Sequence, residues 1–106
     1  MKIRMTHSTA LVLQALANGC AYGFDIMDNT GLAGGTVYPA LRRMESAGWI
    51  ASRWEKQGIA QREGRPARKY YELTPEGDEA LAAAAERYRV LGLLEAQPRI
   101  KTSPAR

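Results

Sequence analysis

Cysteine, histidine and phenylalanine are nearly missing from this chain, whose 106 residues hold one Cys, one His and one Phe. A lone thiol, Cys20, closes no internal disulfide and builds no multi-thiolate metal site, which suits a reducing cytoplasm. No His, Lys or Arg stands beside it in sequence, so it reads as a small buried hydrophobe rather than a redox sensor. His7, the single imidazole, supports neither a His-based metal centre nor a catalytic triad, and its expected role is to cap a helix or face solvent. Long apolar runs are also missing. Nothing approaches the ~18 residues of a spanning helix, and Met1-Lys2-Ile3-Arg4 leads into Ala10-Leu11-Val12-Leu13 with Gln14 interrupting and no small-residue cleavage site. Neither secretion nor membrane insertion is expected. The phosphate loop Gly-x-x-x-x-Gly-Lys, the zinc motif His-Glu-x-x-His and the nucleophile elbow Gly-x-Ser-x-Gly are all absent, so no catalytic residue, metal or cofactor is expected.

What is present suits one small domain, with 45% apolar and 25% charged residues. A chain this short buries only ~60–70% of its unfolded surface, so self-association would add useful burial. The net charge of +4 is unevenly spread. Residues 1–35 balance, and 36–72 carry eight basic side chains against four acidic ones. Residues 73–96 are acidic, and Arg99, Lys101 and Arg106 make the end basic again. A basic middle of this kind is the footprint of a surface facing a polyanion, against the plainer alternative of a solvated face.

Periodicity divides the chain further. Thr6 or Ser8 caps a first helix through Leu11, Val12, Leu13, Leu16 and Ala17, ended by Asn18-Gly19. A short second helix follows Tyr22-Gly23, with Phe24 and Met27 on one face, and stops at Thr30-Gly31. After Gly34-Gly35 a third helix runs from Thr36, burying Val37, Ala40, Leu41 and Met44, with Pro39 placed in the first turn and Gly48 as the stop. Two aromatic, alternating runs, 49–55 and 67–73, predict a hairpin joined by a long basic loop over 56–66. Tyr71, Leu73 and Trp49 or Ile50 are assigned to the core, while Tyr70 fits either side. Thr74 caps a last helix with Pro75 at its first position, and Gln97-Pro98 ends it. Leu81, Ala84 or Ala85, Tyr88 and Leu91 form an apolar seam along it, suited to a partner helix or to packing back on the first helix.

The resulting order is mainly α with a two-stranded β wing: a winged helix-turn-helix over 1–73, a C-terminal dimerisation helix over 74–96 and a disordered tail over 97–106. On the runs Gly35-Thr36-Val37-Tyr38-Pro39-Ala40-Leu41-Arg42-Arg43-Met44-Glu45-Ser46-Ala47-Gly48-Trp49-Ile50 and Gly64-Arg65-Pro66-Ala67-Arg68-Lys69-Tyr70-Tyr71-Glu72-Leu73-Thr74-Pro75-Glu76-Gly77, the chain resembles the PadR family of bacterial transcriptional regulators, in its short subgroup. Trp49 stands where the family usually has leucine, and Ala67 is inserted in the wing motif. The resemblance implies a homodimeric repressor that leaves a pseudo-palindromic double-stranded DNA operator when an effector acts at the dimer interface.

The residues supply the matching chemistry. A helix in the major groove offers Thr36, Tyr38 and Pro39 from its first half, and Arg42 one turn on can reach a guanine edge or clamp a phosphate. Arg43 lies about 100° round the helix and faces a phosphate. Lys56, Arg62, Arg65, Arg68 and Lys69 form a wing that reaches the adjacent minor groove. An arginine pair on a helix is ordinarily only a solvated face, and here the flanking motifs tip the reading. A winged-helix module that binds protein and never touches DNA is the alternative. The expected effector is small, planar and apolar, with Met5, Trp54 and Tyr88 as its candidate contacts. Residues 91–96 lack the late aromatic that short family members use for planar drugs.

Overall fold

Thr6 Oγ1 accepts a hydrogen bond from the Thr9 amide at 3.1 Å and so starts helix α1, His7–Ala17, satisfying one of the donors a helix N-terminus leaves open. The computed structural model describes residues 4–88. Helix α2, Gly23–Thr30, stops where Gly31 turns left-handed at φ 76°, and helix α3 occupies Gly34–Ser46. Val12, Leu13 and Leu16 of α1, Ile26 of α2 and Val37, Leu41 and Met44 of α3 converge with Ile50 in one buried cluster. Each large side chain in it contributes about 1.5–3 kcal/mol by leaving water. Cys20 is buried in the same cluster.

Three expectations are corrected here. Phe24 and Met27 do not act as one face: Ile26 anchors α2 with Met27 packed beside it, while Phe24 is 69% exposed. Helix α3 starts two residues before Thr36, so Pro39 is its sixth residue and not in its first turn. The missing Pro39 amide leaves the Gly35 carbonyl without its usual donor, which is tolerable because Gly35 is exposed to water. The segment between the strands is also no plain loop. It holds a helix, α4, over Gln57–Glu63, with Ala60 buried and Gly64 closing it at φ 65°. Seven residues with a single buried position carry too little periodicity to reveal a helix.

Strands β1, Ile50–Trp54, and β2, Lys69–Leu73, pair antiparallel from Ile50↔Leu73 to Trp54↔Lys69. The Tyr71 amide donates to the Ala21 carbonyl at 2.8 Å and ties β2 to the chain entering α2. Trp49, Tyr71 and Leu73 close over the helical core.

Thr74 begins helix α5, Pro75–Arg87, accepting from the Gly77 amide while its own hydroxyl donates to the Gly48 carbonyl at 2.6 Å. The α5 seam packs back on α1 of the same chain. Ala84 is buried against Ala10, and Tyr88 Oη donates to the Met5 carbonyl at 2.9 Å with its ring edge-on to His7. Tyr88 itself is extended (φ −119°, ψ 105°) and closes the described helix. Leu91, the expected continuation to residue 96 and the tail 97–106 lie outside the described residues.

Candidate nucleic-acid interface

Helical geometry sets out the first wall. Four residues bring a helix back to the same face, so Tyr38 and Arg42 lie one above the other on the solvent side of α3, with Arg43 rotated from them. Tyr38, Arg42 and Arg43 are exposed, and Thr36 and Pro39 are half-buried beside them. The Tyr38 ring lies across α2 at Gly23. A Cβ built on Gly23 would overlap the far end of the Tyr38 ring, so the glycine leaves room for that ring against α2.

The wing forms the second wall, and its cations divide into two kinds. Lys56 and Arg62 are exposed and, like Arg42 and Arg43, make no ion pair among the described residues. Arg65 is different. Its Nη1 and Nη2 donate to Glu55 at 2.7 and 2.8 Å, and its Nε donates to Glu63 at 2.9 Å. Glu55 also accepts from the Arg68 amide at 3.2 Å and from Tyr70 Oη at 3.3 Å. The Arg65 guanidinium, with the Arg68 amide and the Tyr70 hydroxyl, holds the Glu55 carboxyl at about 2, well below its usual value, and the pairing raises Arg65 further. With its side chain 4% exposed, Glu55 is the centre of a clasp that fastens the α4 segment to both strands, and Arg65 belongs to that clasp.

Arg68 and Lys69 sit between these roles. The Arg68 guanidinium lies 4.3 Å above the Tyr22 ring, a cation–π contact, and Tyr22 meets Tyr70 edge-on. Lys69 Nζ is 3.8 Å from Glu45, whose other carboxylate oxygen accepts from the Ser52 hydroxyl. Burial and the nearby Glu45 charge push the Tyr71 hydroxyl above its usual value.

The candidate effector residues fall in two places. Met5 and Tyr88 meet at the α1–α5 contact. Trp54, 65% exposed, stands on the wing and lines a cleft with Tyr22, Phe24 and Tyr38, apart from Met5 and Tyr88. Sequence reasoning placed all three at one interface because it had no measure of where the hairpin projects. It also passed over Glu55, Tyr22 and Phe24. The first reads as a solvated charge in an alternating strand, and the others as core aromatics. No cluster of three His, Cys, Asp or Glu able to hold a metal occurs among the described residues, and no described helix is long and apolar enough to cross a membrane.

A family model described as the Transcriptional regulator PadR-like family matches residues 12–83, from α1 through the wing into α5. The chain belongs to the PadR-like family. The PadR-like chain is 31% identical to a PadR family transcription regulator from hypervirulent Clostridium difficile R20291, over 87% of this chain and 97% of that one, with a TM-score of 0.67. A PadR family regulator from Eggerthella lenta DSM 2243 is 32% identical over 79% of this chain and 72% of that one, at a TM-score of 0.55. The fold is shared as well with a transcriptional regulator from Clostridium thermocellum, 23% identical over 86% and 88% of the two chains, at 0.66. Among curated proteins no sequence match was found. The PadR-like chain is therefore a winged-helix transcription regulator and not an enzyme.

Proposed function

We propose that this regulator is a cytoplasmic repressor that binds a pseudo-palindromic operator as a homodimer and is released from it by an effector. What supports the reading most is the set of exposed cations that make no ion pair among the described residues, Arg42 and Arg43 on α3, Lys56 just before α4 and Arg62 on it, together with exposed Tyr38. In this reading Thr36, Tyr38, Pro39 and Arg42 enter the major groove, Arg43 meets the backbone, and Lys56, Arg62, Arg68 and Lys69 follow the neighbouring minor groove. Arg65 serves DNA indirectly, by holding the wing in place.

The test is a gel shift on the chain's own upstream region across a salt series. Arg42→Ala and Arg62→Ala are each expected to weaken binding and to lower the magnitude of the log–log salt slope by about 0.9 per lost phosphate contact. Slopes equal to wild type in both variants would overturn the assignment, and failure to shift any DNA would favour a protein-binding module.

The dimer is assigned to α5 and the residues after it, through Leu81, Tyr88 and Leu91, with Ala84 already covered by Ala10. Wild type is expected to sediment as a dimer at micromolar concentration and Leu91→Glu as a monomer, and a wild-type monomer would refute the arrangement. A two-fold axis then sets half-sites about 10 base pairs, or a multiple, apart.

A further inference from the structure

Among the described residues, Phe24 and Trp54 are the large apolar side chains most open to water, and both stand at the cleft between the start of α2, the solvent face of α3 and the wing. One exposed aromatic is ordinary, whereas two at a single cleft mark a surface that something covers. Trp54 has an indole N–H to offer a phosphate oxygen. Phe24 has no polar atom, so phosphate contacts give no reason for it.

Position and charge say what covers it. Tyr38 lays the far end of its ring against Gly23, so Phe24 follows where that ring ends, and the exposed series Arg42, Tyr38, Phe24 passes from α3 onto the start of α2. Arg65, Arg68 and Lys69 line the same cleft and, among the described residues, no Asp or Glu does. Such a surface favours a polyanion over a second copy of this basic chain. Exposed Asp28 lies one turn beyond Phe24 on α2 and repels phosphate, so this side of α2 faces a base edge rather than the backbone. The apolar group that a base displays in the major groove is the thymine C5-methyl.

We propose that Phe24 is a specificity-determining residue of this regulator, its ring covering the C5-methyl of a thymine in each operator half-site. The inference rests on the repressor reading and adds to it a base contact made from outside α3. It commits the half-site to a thymine at the edge of the stretch that α3 reads.

The probe is the chain's own upstream region, amplified once with thymine and once with uracil throughout, which removes every C5-methyl and leaves the hydrogen-bonding edges in place. In gel shifts at one fixed salt concentration, wild type is expected to bind the uracil fragment at least about fourfold more weakly, the effect of uncovering one methyl. Phe24→Ala should bind the thymine fragment more weakly by a similar factor, and its own uracil penalty should be at least about fourfold smaller than that of wild type. Phe24→Leu, still apolar, should keep most of the preference. Each variant is compared with itself on two fragments, so any loss of folded protein cancels. The salt slope of Phe24→Ala should match wild type, since no phosphate contact is deleted. Wild type indifferent to the methyls, or a uracil penalty in Phe24→Ala equal to that of wild type, would overturn the thymine contact, while the shifted fragments leave the repressor reading standing. A chain that shifts neither fragment would overturn both.

Discussion

Gly77→Ala is expected to destabilise the chain by about 3 kcal/mol, the upper end of what overpacking a tight contact costs. Gly77 lies in the first turn of α5, where the helix presses on the segment entering the hairpin. A Cβ there would stand 2.0 Å from the Trp49 carbonyl oxygen and 3.0 Å from Leu73 Cδ2. The obstacle is backbone, and that carbonyl is already fixed by the Thr74 amide at 3.0 Å, so it cannot swing aside as a flexible side chain would. Helix and hairpin must then separate, which exposes the Leu73 and Trp49 side of the core. For a domain of this size the loss corresponds to a fall in melting temperature of roughly 10–20 °C. Gly58→Ala provides the contrast. A Cβ at Gly58, in the first turn of α4, meets only Arg62 Nη1 at 4.0 Å, so alanine there should be neutral or stabilising by about 0.5 kcal/mol. Thermal unfolding followed by circular dichroism separates the two, and a Gly77→Ala melt within experimental error of wild type would contradict the seating of α5.

The chemistry of helix caps made much of this architecture legible from residues alone. Thr6 and Thr74 each place a hydroxyl one step before an apolar-periodic run, and both cap their helices as that chemistry requires. The strand pattern around Ile50 and Tyr71 was equally plain, because alternation survives in the register Ser52↔Tyr71. Where reading failed, the determinant was distant in sequence. The face of α2 is set by what α1 and α3 leave open to it, which selects Ile26 over Phe24. The short helix α4 is held by one buried alanine and by a clasp that joins Glu55 to Arg65 ten residues on.

The candidate site was legible in kind but not in allocation. Counting charges located the basic middle segment, yet a count cannot tell a presented arginine from one already spoken for. Arg62 and Arg65 are three residues apart, and one is exposed while the other holds a buried carboxylate. The aromatic residues carry the same lesson. Tyr22 and Trp54 are far apart in sequence and become the walls of one cleft only because the Ala21 carbonyl receives the Tyr71 amide and draws the wing toward α2.

Removing the clasp should change how stability responds to acid. The Glu55 carboxyl is held at about 2 against an ordinary value of 4.5, so the folded state favours the ionised form. A lowered acid constant gives stability that is present in full above the unfolded value and is lost as pH falls from about 4.5 through 2. Glu55→Gln deletes that contribution and turns an amide donor toward the Arg65 guanidinium, leaving a half-buried cation without its partner. The variant is expected to unfold at lower urea than wild type at about pH 7, and the gap is expected to close as pH approaches about 2.5. Because Glu55 joins Arg65, just after α4, to Arg68 and Tyr70 at the start of β2, the same change should weaken the DNA complex while leaving its salt slope intact, since no phosphate contact is deleted. Arg42→Ala should show the opposite signature, with the slope lowered and the acid limb unchanged. An acid limb for Glu55→Gln that runs parallel to wild type down to about pH 2.5 would mean that the clasp does not hold the wing.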